Sequence, residues 1–104
     1  MSEPADFRVI LSEDAITDLS GIGRWIAERS DLDTANAYVA RVQAACDRLN
    51  VFPNRGTPRF DVVPGLRTIT FERRDIICYR VEGSDVVVLR VIHGARDFAT
   101  AFKA

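Results

Sequence analysis

Apolar residues recur along this chain with a changing period, and each period predicts a different element. Phe7-Arg8-Val9-Ile10-Leu11 is a short apolar run that predicts a buried strand. Ser12 then offers a helix N-cap, with Glu13 and Asp14 in the first turn, where carboxylates favour the positive helix end. Ile16, Leu19, Ile22, Gly23 and Ile26 follow at helical spacing through about Arg29 and make a first helix. A second cap region, Ser30-Asp31-Leu32-Asp33, opens a second helix whose apolar stripe is Ala35, Tyr38, Val39, Val42, Ala45, Cys46 and Leu49. So few residues join the two helices that they should lie antiparallel, as a hairpin. Gly21 and Gly23 each weaken the first helix by about 1 kcal/mol relative to alanine, and close packing of the second helix is the expected reason.

Pro53-Asn54-Arg55-Gly56-Thr57-Pro58 ends the second helix and begins a loop that runs to Pro64-Gly65. From Leu66 onward strand residues dominate, with turns at Glu72-Arg73-Arg74-Asp75 and Gly83-Ser84-Asp85. Turns this short predict a three-stranded antiparallel meander. The expected fold is therefore α+β: one domain over residues 1–104, with an N-terminal strand, an antiparallel helical hairpin, and the meander packed by one face on the helices. Phe98 and Phe102 dock the tail as a half-turn of helix, or the tail frays.

Register decides which side chains the sheet exposes. Pairing Phe71 with Ile76 sets Arg67 opposite Arg80 and Ile69 opposite Cys78, and pairing Glu82 with Val86 sets Arg80 opposite Val88 and Cys78 opposite Arg90. Ile77, Tyr79, Val81, Val87, Leu89 and Val91 then face the helices, and Arg67, Arg80 and Arg90 share the other face. Like charges across a sheet are unfavourable, so these arginines call for Asp61, Glu82 or Asp97 within the fold, or for acidic groups on another molecule. A second candidate surface is an apolar groove along Trp25 and Tyr38, exposed on the hairpin unless a partner covers it.

The net charge of −1 does not describe a protein that holds nucleic acid by electrostatics alone, and no direct DNA binding is expected. Its distribution is uneven: residues 1–52 carry five Arg and nine Asp or Glu, and residues 53–104 carry nine Arg or Lys and six Asp or Glu. Thirteen of the fourteen basic residues are Arg, which favours bidentate grips on carboxylate or phosphate. No run of about 18 apolar residues predicts a membrane span, and Met1-Ser2-Glu3-Pro4-Ala5-Asp6 lacks the basic start of a signal peptide, so a soluble cytoplasmic protein is expected.

Candidate chemistry is sparse. Cys46 and Cys78 fall in a helical and a strand pattern without metal-ligand spacing, so they read as buried apolar side chains, and neither metal nor cofactor is expected. His93 is the only histidine and is a candidate general acid or base. By parity it lies on the core side, where a hydrogen-bonded structural role is the commoner one. Phosphate-cradling glycine loops are absent from the sequence.

Several segments in order carry a resemblance: Leu49 to Pro53 closing the helical pair, a turn at Gly56, Pro64-Gly65-Leu66-Arg67 leading into the strands, Tyr79-Arg80-Val81, and Val86 through Asp97. Together they resemble the ParE branch of the RelE/ParE toxin superfamily, the toxin halves of bacterial type II toxin–antitoxin pairs. The resemblance implies a toxin that inhibits DNA gyrase by binding, without catalysis, and a ParD-like antitoxin that neutralises it in a hetero-oligomer and lays its C-terminal segment on the sheet. With the register and the apolar groove above, this makes Arg67, Arg80, Arg90, Trp25 and Tyr38 the candidate antitoxin- or target-binding residues. The alternative within the superfamily is a ribosome-dependent mRNA endonuclease, with His93 and Arg96 as catalytic groups beside the arginines.

Overall fold

The computed structural model describes residues 6–94, 98 and 100–102 of the 104-residue chain. Its elements are β1 (Arg8–Leu11), α1 (Glu13–Arg29), α2 (Leu32–Asp47), β2 (Thr57–Pro58), β3 (Arg67–Phe71), β4 (Asp75–Glu82) and β5 (Asp85–His93), with 3-10 turns at Arg48–Asn50, Pro53–Arg55 and Thr100–Phe102. Both helix starts are capped as the sequence predicts. Ser12 Oγ accepts the Ala15 N–H at 3.1 Å, and Asp31 Oδ1 accepts that of Thr34 at 2.7 Å. Ser12 also donates from Oγ to the Leu89 carbonyl and from its backbone N–H to Val88, so one residue starts α1 and ties it to β5.

Only Ser30 and Asp31 separate the helices, which lie side by side as the expected hairpin. A Cβ on Gly23 would sit 3.3 Å from Val39 Cγ2, so close packing accounts for that glycine. Gly21 has nothing within 4 Å of such a Cβ and lines a cavity instead, so the same reason fails there.

The sheet has five strands in the order β1-β5-β4-β3-β2, where a three-stranded meander was expected. β1 pairs parallel with β5, from Arg8 opposite Asp85 to Leu11 opposite Val88, and β2 adds two residues beside β3. Parallel partners so distant in sequence leave no local turn signal. A strand of two residues ending in Pro58 has none to offer either.

The β3–β4 register differs from the expected one by a single residue. Glu72 and Arg73 both take positive φ, at 49° and 58°, and the Arg74 N–H donates to the Phe71 carbonyl. This tight turn sets Phe71 opposite Asp75, so Arg67 faces Tyr79 and Ile69 faces Ile77. At the next hairpin the loop is two residues, Gly83 and Ser84, which pairs Glu82 with Asp85 and Arg80 with Val87. A bulge then takes up Leu89, and Cys78 pairs with Arg90 as expected.

The core lies between the helices and one sheet face. Ala15, Leu19, Ile22 and Ile26 of α1 and Ala35, Tyr38, Val42 and Cys46 of α2 pack with Leu49 on Ile77, Tyr79, Val86, Val88 and Val91. Val86 and Val88 thus replace the expected Val87 and Leu89, because the shorter loop shifts the parity and the bulge restores it before Val91. The far face carries its own apolar cluster, where Leu66, Cys78 and Ile92 are covered by Val62, Val63, Phe98 and Phe102.

Candidate functional site

Asp75 opens β4 and is fully buried, the one buried charged residue among those described. Because it lies directly opposite His93 in the β4–β5 ladder, both side chains project to the helix side. His93 Nδ1 lies 2.5 Å from Asp75 Oδ1, and the Tyr38 hydroxyl donates to Oδ2 at 2.5 Å. The carboxylate accepts from both, so a neutral imidazole carries its proton on Nδ1. Burial, and then this hydrogen bond, push the Tyr38 phenol well above its ordinary range. Three elements, α2, β4 and β5, therefore meet at one carboxylate.

The chain of contacts continues to the surface on both sides. On one side the His93 ring lies 4.9 Å from that of Trp25, and the Arg29 guanidinium lies 4.2 Å from the Trp25 centroid. On the other, Arg41 covers Tyr38 at 5.2 Å and grips Glu72 through bonds of 2.9 and 3.1 Å. That grip holds the Glu72 carboxyl below its ordinary range. Trp25 is 41% exposed, as a surface contact requires. Tyr38 is 4% exposed, so it lines the cleft beside Trp25 with little surface of its own to offer a partner.

Arg67, Arg80 and Arg90 do not form one patch. Arg67 lies opposite Tyr79 on the helix side, where Nη1 donates to the carbonyls of Asn54 and Gly56 at 2.9 and 3.0 Å. Arg80, adjacent to Tyr79 along β4, points to the other face and pairs with Glu82 at 2.6 Å. The one-residue register difference separates the two. Arg90 is half-buried: Nε and Nη2 donate to Asp18 at 2.8 and 2.9 Å, and Nη1 donates to the Ala101 carbonyl.

Asp18 has a second role at that place. β1 ends at Leu11, so β5 has no strand neighbour on this side beyond Val88, and Asp18 Oδ2 accepts the Val91 N–H at 2.9 Å. A helix carboxylate thus finishes the edge that β1 leaves open. Of the carboxylates expected to neutralise the arginines, Glu82 does so for Arg80, and Asp61 pairs with Arg59 instead. Arg96 and Asp97 lie outside the described residues.

Sequence reasoning missed Asp75 and Asp18. Asp75 reads as the last residue of a polar turn, and its partners are far away in the chain. A weak signal was available in its position directly before the apolar run Ile76-Ile77-Cys78. Cys46 and Cys78 are both buried, and burial pushes each thiol up to about 12. Among the described residues no group of His, Cys, Asp and Glu is arranged to hold a metal ion, and no helix is long and apolar enough to cross a membrane.

A family model for the ParE toxin of type II toxin–antitoxin systems, parDE, matches residues 9–98. Toxin ParE3 of Caulobacter vibrioides is 35% identical over 92 residues, or 88% of this chain and 91% of that protein. A structure of the chromosomal ParDE toxin–antitoxin system from P. aeruginosa superposes with a TM-score of 0.76 at 26% identity, covering 86% of this chain and 97% of that one. The toxin–antitoxin complex RelBE2 from Mycobacterium tuberculosis shares the fold, with a TM-score of 0.63 at 23% identity over 92% of this chain and 100% of that one. The similarity is thus greater to the ParE proteins than to RelBE2.

Proposed function

The chain belongs to the ParE toxin family of type II toxin–antitoxin systems, and on that premise we propose that it blocks replication by binding DNA gyrase and is neutralised by a ParD-like antitoxin. The observation that carries this reading is the family match across residues 9–98, which takes in both helices and all five strands apart from Arg8. The toxin acts by occupying a surface of gyrase in the cytoplasm, and no reaction is catalysed. Supporting this, the family model and the Caulobacter vibrioides relative are both ParE toxins, while His93 is held by Asp75 and packs at a tilt on Trp25.

Trp25 is the anchor proposed for partner contact, with Tyr38 holding it in place through Asp75 and His93. Arg67 and Arg80 offer guanidinium edges on separate faces, and Arg90 serves by fixing the β5 edge to α1. The antitoxin is the partner because the P. aeruginosa relative is described as a ParDE system.

Induced expression in bacteria, with and without a co-expressed ParD-like antitoxin, tests the reading through two readouts. Plasmid DNA should lose negative supercoiling while ribosome-bound mRNA stays intact, and antitoxin should restore growth. Cleaved mRNA with normal supercoiling would replace this reading with the endonuclease one.

A further inference from the structure

Trp25 is the single tryptophan of the chain, and its indole is fixed between neighbours while remaining accessible. Beside it, a cleft of about 550 Å³ opens between the end of α1, the first half of α2 and the β3–β4 turn. Its charged lining consists of Arg29, Arg41, Arg74 and Glu72. Glu72 is committed to Arg41 by two hydrogen bonds. Among the described residues, Arg29 and Arg74 have no carboxylate partner; Arg29 reaches only the Trp25 carbonyl, at 3.4 Å.

Three guanidinium groups against one exposed carboxylate is a local excess of positive charge on a chain whose net charge is −1. Solvated surface arginines are ordinary, but these are arranged. The Arg29 guanidinium lies over the Trp25 indole, and Arg41 lies over Tyr38 with Glu72 holding it, so less side-chain freedom is lost when a ligand is gripped. Trp and Arg are also the residue types that dominate binding hot spots. Arg29 covers a ring face that a nucleobase would need for stacking, which favours a peptide over a nucleic acid.

We propose that this cleft binds a carboxylate-rich segment of a protein partner. Arg29 and Arg74 take the carboxylates through paired N–H donors, and the exposed edge of Trp25 packs on the segment's aliphatic stems. This goes beyond gyrase inhibition and is tested separately from it.

Because Trp25 is the only tryptophan, its emission reports on the cleft. The full chain is titrated with a blocked hexaglutamate peptide, with hexaglutamine and inorganic phosphate as comparisons. The expected result is a saturable emission change with hexaglutamate that weakens as salt rises, and none with hexaglutamine. Arg74→Gln, which does not touch the indole, should raise Kd about tenfold with an unchanged melting temperature, and Arg29→Gln/Arg74→Gln should raise it further. Undiminished affinity in Arg74→Gln would overturn the proposal, as would equal binding of hexaglutamine. The same response to phosphate at matched charge would also overturn it, reducing the cleft to a general anion trap.

Discussion

Asp75 and His93 face each other directly across the β4–β5 ladder, with Asp75 Oδ1 2.5 Å from His93 Nδ1, and the other oxygen of the same carboxylate accepts from Tyr38. A fully buried carboxylate is tolerable only when such donors are present. This one joins the helical hairpin to two strands and sets the ring against which Trp25 rests. Loss of either donor exposes the desolvation cost that the contacts now offset.

Tyr38→Phe removes one of these donors without changing shape, and should lower stability by about 1–3 kcal/mol. Asp75→Ala leaves both donors without their acceptor and should cost about 2–6 kcal/mol, at about 1–3 kcal/mol for each unsatisfied group. Urea denaturation measures both. Equal stability of Tyr38→Phe and the parent would mean that the short Tyr38–Asp75 contact is not formed in solution.

His93→Gln should keep the toxin active. Glutamine offers an N–H to Asp75 in place of Nδ1 but no acid or base near neutral pH. Growth inhibition on induction is the measurement, with the melting temperature as control. Full loss of toxicity in a variant of normal stability would assign His93 a chemical role.

The Asp18–Arg90 pair should show a coupling energy of about 1–3 kcal/mol, above that of an exposed ion pair. Its two bonds are half-buried, and Asp18 also holds the Val91 N–H where β5 lacks a strand neighbour. A double-mutant cycle with Asp18→Asn and Arg90→Gln in denaturant gives the value. A coupling near zero would show that the edge is held by other contacts.

Stability should fall as pH rises above about 9. The Cys46 and Cys78 thiols are pushed up to about 12 from 9.0, and the Tyr38 and Tyr79 phenols are raised from 10.0, each chiefly by burial. Between the unfolded and folded values the unfolded chain releases protons that the fold retains, so each such group favours unfolding by about 1.4 kcal/mol per pH unit. The contribution is fully present below the unfolded values and is lost upward from there. The midpoint in urea between pH 7 and 11 follows this, and a midpoint unchanged to pH 11 would contradict it. For the same reason both thiols should resist alkylation in the native state at pH 8.

Local chemistry was legible in the sequence, and pairings between distant residues were not. Ser12 and Asp31 announce their helices because a cap acts on its own next turn, and the stripe from Ala35 to Leu49 announces its buried face. The arginine patch failed on one residue of register. Positive φ at Glu72 and Arg73, with no glycine or asparagine to mark it, makes a turn that composition does not foretell. The loop of Gly83 and Ser84 and the bulge at Leu89 then nearly cancel, so Cys78 opposite Arg90 was correct while Arg80 opposite Val88 was not. Asp75 was invisible because its burial depends on Tyr38 and His93, which only the folded chain brings to it.

The central claim, that this toxin inhibits gyrase by binding it, is tested most directly by supercoiling of relaxed plasmid by purified gyrase with ATP. Added toxin should stop supercoiling at near-stoichiometric amounts, and prior addition of its ParD-like antitoxin should abolish the effect. Undisturbed supercoiling at a large excess of folded toxin would contradict the account.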